Sequence, residues 1–289
     1  MGPLDHDTQP RLALVAGEAS GDLLGSLMLG ALRERWPGLS SFGIGGPKMA
    51  AEGFQPWWSH EKLAVRGYVE VLRHYREIVG IRRALGDRLL ADLPDLFIGV
   101  DAPDFNLELE RRLRHAGVRT VHFVSPSIWA WRAGRIETIR AAADEVLCIF
   151  PFEPALFERA GIAATYVGHP LADAIPLEPP RAAARAALGL APGQPVVALL
   201  PGSRRSEIAQ HGLLFIRTAA RMLQRRPELQ FLLPAAPGLK AELERAVRAG
   251  GVSERHLRLM DGGSHAALAA CDATLVASGT ATLEAALFK

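Results

Sequence analysis

Cysteine is scarce in this chain of 289 residues: only Cys148 and Cys271 are present, far apart and with no paired spacing. That excludes a disulfide framework and a CxxC-type zinc or redox motif, and it fits a reducing cytosol. An excess of charge of either sign is also missing. The 33 basic and 31 acidic residues leave a formal net charge of +2, which excludes a polycationic nucleic-acid binder and leaves only local basic patches. Long apolar runs are lacking too. The longest uncharged stretch, 186–203, contains Pro192, Pro195 and Pro201 and cannot form a spanning helix. The opening "MGPLDHDTQP" is polar and acidic, unlike a secretory leader. No cluster of His, Cys, Asp or Glu has metal-ligand spacing, and no glycine loop carries the lysine of an ATP-binding P-loop. The expectation is a cytoplasmic protein, soluble or bound peripherally to a surface, with no nucleic-acid partner.

What is abundant is apolar residues, 49% of the chain, in short runs that alternate with helical patterns. "RLALVAG" (11–17), "SSFGIGG" (40–46), "DLFIGVD" (95–101), "RTVHFVS" (119–125) and "EVLCIFP" (145–151) read as buried strands with helices between them. The first helix is expected over 22–36, and Pro47 suits the first turn of another. Around 170–195 the texture changes to a proline-rich stretch with one short helix, the composition of a linker. The pattern then restarts with "PVVALLP", "LQFLLPAA" (229–236), "HLRLMDG" (256–262) and "DATLVASG" (272–279). Such alternation gives an α/β fold with parallel sheets: a doubly wound domain over 1–175, a linker over 176–195 and a second doubly wound domain over 196–289, facing each other across a cleft. Because the chain stops in the helix "TLEAALFK" after only four strands, the second domain is expected to be incomplete.

Two loops of the second half suit an anion. In "LLPGSRRSEI" (199–208), Gly202 and Ser203 bring backbone amides close to a ligand, and Arg204 and Arg205 follow with rigid forks of donors. The alternative is a surface turn with a solvated basic pair. In "LVASGTATLEAAL" (275–287), Ser278, Gly279, Thr280 and Thr282 surround a helix amino terminus, and Glu284 one turn on could accept from a ribose diol. An ordinary capping box on Glu284 fails by one residue, since Ala281 stands where the hydroxyl is needed. Two such loops in one domain suggest a nucleotide diphosphate.

In the first half, "GVDAPDFNLELERRL" (99–113) places Asp104 at a helix start, where a structural cap or first-turn charge is its natural role. Asp101, at the strand's carboxyl end, is the better general base. The acidic glycine loop "VAGEASGD" (15–22) offers Glu18 and Ser20 to a sugar and places Asp22 to cap the following helix, with Gly17 and Gly21 permitting close approach. "HFVSPSIWAWR" (122–132) joins Ser125, Ser127, Trp129, Trp131 and Arg132 in a set that suits sugar stacking or a plain core. His122, alone on its strand, reads as structural, while His169 is ambiguous. Between Lys62 and Arg88, seven Lys or Arg against three acidic residues alternate with apolar side chains at helical spacing. That pattern suits a helix on an anionic bilayer or over an acyl chain, and equally a core helix with a solvated basic face.

Eight stretches, "LVAGEASGDLLG", "KLAVRGYVEVL", "GVDAPDFN", "VSPSIWAWR", "PFE", "VGHPLAD", "LLPGSRRSE" and "LVASGTATLEAAL", closely resemble in order the lipid-A-disaccharide synthase family, glycosyltransferases of lipopolysaccharide biosynthesis. They run from residue 14 to 287. The resemblance implies two Rossmann-like domains in a GT-B-like arrangement. It also implies inverting transfer of the sugar of UDP-2,3-diacylglucosamine to the 6-hydroxyl of 2,3-diacylglucosamine 1-phosphate, with no metal or cofactor required. Carried onto this chain, Asp101 is the base, Arg204 and the 278–282 loop hold the UDP diphosphate, and Glu284 meets the ribose. Lipid substrates make 62–88 a membrane-facing element at the inner face of the cytoplasmic membrane. Family members continue beyond "LEAALFK" with elements that finish the nucleotide domain and, in some, contribute to a homodimer. The alternatives are another UDP-sugar enzyme of the same fold and a non-catalytic fragment that binds lipid or nucleotide.

Overall fold

The computed structural model describes residues 9–63, 68–126 and 134–289, with side chains except those of 68–74 and 280. The chain divides between Pro170 and Leu171 into two compact units. In the first, seven strands form one sheet: β1 (Arg11–Ala16), β2 (Ser40–Gly45), β3 (Gln55–Ser59), β4 (Leu96–Val100), β5 (Arg119–Phe123), β6 (Glu145–Cys148) and β7 (Ala164–Tyr166). Their order is β3-β2-β1-β4-β5-β6-β7. In the second, β8 (Val196–Leu200), β9 (Gln230–Ala235), β10 (Leu257–Asp261) and β11 (Ala273–Val276) lie in the order β10-β9-β8-β11. Every strand pair is parallel. All nine apolar runs expected as strands form strands. The two that sequence patterning missed, β3 and β7, are sheet edges: one contains Pro56 and is largely exposed, and the other is three residues long.

Parallel strands covered on both faces bury alternate residues on opposite sides. From β1, Leu12, Leu14 and Ala16 enter one core with Leu24, Leu29, Ile98 and Val100. Ala13 and Val15 enter the other with Phe42, Ile44, Phe97, Leu109 and Leu113. That second core also takes Ile81, Leu85 and Leu89 of helix α3 (Tyr68–Ala91). The carboxyl-terminal half of this basic segment is therefore a core helix, and its apolar face there is spent on the sheet rather than left for lipid. Its cations sit on the outer side, Arg88 stacked 3.6 Å above the Trp57 ring and Lys62 paired with Glu77 at 2.9 Å.

The proline-rich stretch 176–195, read as a linker, is folded against the second unit. Its helix Arg181–Ala187 carries Arg185, 5% exposed, whose guanidinium donates to the carbonyls of Ala270, Pro192 and Gln194 and to Asp272. One buried cation thereby ties this helix to the start of β11 and the turn before β8.

Asp22 differs from expectation. Helix α1 (Ala19–Arg35) begins three residues earlier than the pattern suggested, with Glu18 at its N-cap, so Asp22 lies inside the first turn and does not cap its own helix. It is buried, 2% exposed, and reaches the next crossover. Its carboxylate accepts from the amides of Gly46 (2.8 Å), Lys48 (3.0 Å) and Met49 (3.0 Å), at the amino end of α2 (Pro47–Ala51). Gly46 must lack a side chain, because a Cβ there would lie 2.6 Å from the Asp22 carboxylate and 2.5 Å from the His60 ring. An anion at a helix amino terminus satisfies orphan donors and the dipole together. Asp22→Ala leaves three such amides without a partner and is expected to cost about 2–3 kcal/mol. A urea midpoint unchanged from wild type would contradict this capping role.

Candidate active site

In a doubly wound sheet the loops diverge where strand order reverses, and ligands bind there. In the first unit that point lies between β1 and β4, whose register pairs Ala16 with Val100. The loop "GE" leaves β1 beside the loop "DA" that leaves β4, each directly after the paired Ala16 and Val100. The approach is close: a Cβ on Gly17 would fall 2.8 Å from that of Ala102. Gly17 and Gly21 were expected to let a sugar come near. Their open sides instead face protein, Ala102 and Leu63 for one, Ala16 and the Val100 carbonyl for the other. Glu18 and Ser20, both half-buried, occupy the N-cap and first turn of α1.

Asp101 and Ala102 are both left-handed, with φ of 51° and 44°. For non-glycine residues this conformation costs about 1–3 kcal/mol each and persists only where the surroundings enforce it. Here the Asp101 amide donates to the Phe123 carbonyl (2.9 Å), and the Ala102 carbonyl accepts from Phe105 and Asn106 as helix α4 (Pro103–His115) begins. Asp104 is the exposed first-turn charge it was expected to be, paired with Arg135.

Beneath this turn lies a polar set that the sequence reading missed. Asn106 and Glu110, one helical turn apart on α4, and His122 on β5 are all fully buried. Gly99 makes their room: a Cβ there would lie 2.1 Å from Glu110 Oε1 and 2.9 Å from Asn106 Cβ. Asn106 Nδ2 donates to the carbonyls of Asp101 (2.8 Å) and Val15 (3.3 Å). His122 Nδ1 meets Glu110 Oε1 at 2.7 Å. Burial alone would lower the imidazole pKa, but the Glu110 carboxylate and the more distant Asp101 charge outweigh it and hold it above 6.5. His122 thus stands in a buried hydrogen-bonded pair with Glu110 rather than alone. The available signal was the spacing of Asn106 and Glu110, polar residues at i and i+4 interleaved with Phe105, Leu109 and Leu113.

In the second unit the reversal lies between β8 and β11, where Val276 pairs with Leu200. The loops Pro201–Arg204 and Ala277–Gly279 therefore emerge together, as the two-loop reading requires. Gly202 has φ +140°, and a Cβ there would strike Glu207 at 2.5 Å. Glu207, overlooked in the sequence because it reads as an ordinary first-turn acid, organises this loop. Its Oε2 accepts from the amides of Ser203 (2.9 Å) and Arg204 (3.2 Å), and its Oε1 from the Arg204 guanidinium (2.6 Å). Arg204 is the N-cap of the helix Arg205–Arg225, and Arg205 pairs with Glu242. Both arginines are thus partnered by carboxylates of their own unit, Arg204 half-buried and Arg205 exposed to solvent.

At the other loop, Thr282 Oγ1 accepts from the Gly279 amide at 3.2 Å as the helix Thr280–Phe288 begins, and Ser278 is exposed. Glu284 takes no part in capping, as its spacing indicated. It faces His265 Nε2 at 3.3 Å, an unforeseen partner from the helix Ser264–Ala270.

Ser127, Trp129, Trp131 and Arg132 lie outside the described residues. Ser125 is buried and donates to the Pro126 carbonyl, and His169 tilts against Phe150. Among the described residues no group of three His, Cys, Asp or Glu could hold a metal, and no helix is long and apolar enough to cross a membrane.

The family model described as lipid-A-disaccharide synthetase matches residues 12–289. The chain belongs to the lipid-A-disaccharide synthetase family. The lipid-A-disaccharide synthase of Albidiferax ferrireducens is 63% identical over 280 residues, 96% of this chain and 72% of that protein. The enzyme of the same name from Azoarcus is 57% identical over 281 residues, again 72% of its length. Among solved structures, the UDP-GlcNAc 2-epimerase of Neisseria meningitidis bound to UDP-GlcNAc superimposes with TM-score 0.66 at 11% identity, covering 93% of this chain and 78% of that one. The calicheamicin glycosyltransferase gives 0.57 at 16%, covering 96% and 77%. These neighbours share the fold: parallel α/β, Rossmann-like, of the GT-B-like glycosyltransferases and epimerases.

For this family member, Glu207 yields a pH signature. Burial raises the carboxyl's pKa, but the amides of Ser203 and Arg204 and the Arg204 guanidinium outweigh it and hold it below the usual 4.5. A depressed carboxyl contributes stability above the unfolded-state pKa and loses it as pH falls through the folded one. Urea unfolding between pH 6 and 3 is expected to show a second unit that weakens below pH 4.5, less steeply in Glu207→Gln. Identical slopes in both proteins would refute the assignment.

Proposed function

We propose that this chain performs the family's reaction, joining UDP-2,3-diacylglucosamine to 2,3-diacylglucosamine 1-phosphate to give the disaccharide 1-phosphate and UDP. One observation carries the reading: segments that mark the family sit at the strand-order reversals of both sheets. In the first unit these are "GEASGD" and "GVDAPDFN". In the second they are "LLPGSRRSE" and "LVASGTATLEAAL".

In this reading the acceptor's 6-hydroxyl attacks the anomeric carbon as the bond from that carbon to the diphosphate oxygen breaks. The hydroxyl proton passes to Asp101, and the electron pair leaves with UDP. Glu18 and Ser20 accept and donate hydrogen bonds to acceptor hydroxyls. Ser203 and Arg204 hold the diphosphate by exchanging the Glu207 carboxylate for phosphate oxygens, which use the same amides and guanidinium. Ser278, Gly279, Thr280 and Thr282 contribute the neighbouring loop, and Glu284 the ribose contact. The leaving charge is met by Arg204 and backbone dipoles, and no metal is part of the proposal. Both substrates are lipids, so the enzyme works at the cytoplasmic membrane surface, where the exposed Arg76 and Arg83 of α3 meet anionic headgroups.

The test incubates the protein with both acylated substrates in detergent, with and without EDTA. Disaccharide and UDP are expected at equal rates in the two. Asp101→Ala is expected to lower turnover about 10²–10⁴-fold, the span of general base catalysis. Turnover of non-acylated UDP-GlcNAc instead would assign a different UDP-sugar reaction. Glu18→Ala and Ser20→Ala are expected to depress kcat while UDP affinity, measured by calorimetry, holds. The reverse pattern would remove both residues from the acceptor side.

A further inference from the structure

We infer that Asn106 is a positioning residue for Asp101, holding the base on its strained left-handed turn from below; the inference rests on Asp101 being the base. Three observations meet here. Asp101 and Ala102 both have positive φ without being glycine. The Asn106 side chain is fully buried, and its Nδ2 is ringed by main-chain carbonyls: Asp101 at 2.8 Å, Val15 at 3.3 Å and Val100 at 3.5 Å. Only an amide nitrogen can face several acceptors at once, so the donor assignment follows from the surroundings. Finally, Gly99 leaves the space above β4 in which Asn106 and Glu110 stand, since any Cβ there would collide with both.

The Val15 carbonyl belongs to β1 and the Asp101 carbonyl follows β4, so one side chain stitches the two strands at the very point where their loops part. Asn106 touches no substrate in this scheme. It acts through the Asp101 peptide, fixing where the carboxylate is carried. Glu110 and His122, paired at 2.7 Å in the same slot, supply a rigid floor.

The experiment compares wild type, Asn106→Ala, Asn106→Ala/Ala102→Gly and Asp101→Asn for kcat, KM of both substrates and hydrogen exchange across residues 100–106. In Asn106→Ala we expect kcat to fall about 10–100-fold, the scale on which a misplacement of about 1 Å acts, with both KM values retained. Exchange at the Asp101 amide should quicken. Adding Ala102→Gly should restore part of the lost kcat, because glycine adopts the left-handed turn without a clamp. A merely structural asparagine would not be rescued by that change. If Asn106→Ala does not yield folded protein, Asn106→Ser, which is small and cannot reach the Asp101 carbonyl, takes its place. Wild-type kcat in a folded Asn106 variant, or a loss that Ala102→Gly leaves untouched, overturns the inference while an inactive Asp101→Asn keeps the base. Full activity in Asp101→Asn overturns the base assignment itself.

Discussion

Because β1 pairs with β2 on one side and with β4 on the other, the chain must leave these adjacent strands in opposite directions, and a gap opens between their carboxyl ends. Much of the chemistry of the first unit follows from that parting. It brings the loops that carry Glu18 and Asp101 together although they are far apart in sequence, and it presses Gly17 against Ala102. It also exposes carbonyls of both strands to whatever lies beneath, which is where Asn106 stands. The second unit repeats the arrangement with β8 and β11, and two loops again emerge together.

Glycine loops that follow strands in such folds present bare amides, and bare amides attract anions. In this protein two of them are supplied from within. Asp22 fills the turn that begins α2, and Glu207 fills the turn that follows β8. The two differ in their surroundings. Asp22 is shut away and serves packing, whereas Glu207 remains part-exposed at a strand-order reversal, beside an arginine that a phosphate could share. The same hydrogen-bond geometry thus serves architecture in one unit and a candidate ligand site in the other, and access to solvent separates them.

The fold was legible because buried parallel strands must be short apolar runs, and nine of the eleven strands among the described residues are. β3 and β7 were not, because an edge strand need bury only part of itself. Of the candidate site, Asp101, Glu18 and the two loops of the second unit were visible as polar residues at strand ends. Asp22 was misread because its partners lie 24 to 27 positions away and only the folded crossover brings them near. Glu207 was hidden by its ordinary place in a first helical turn. His265 gave no sign of Glu284, since two helices had to pack before they met. Asn106 and Glu110 could have been found: two polar side chains on the apolar face of α4 need an explanation wherever they occur.

Gly99 sits one residue before the end of β4 with the side chains of Asn106 and Glu110 lying where its own would be. The residues that fill its space come from a helix and an adjacent strand, and buried groups in direct contact do not respond independently to change. A larger residue at 99 is compatible only with smaller ones at 106 and 110, and a lost acid at 110 strands a buried imidazole at 122. The four positions therefore work like a combination lock: a substitution at any one of them must be matched at the others before the slot packs again.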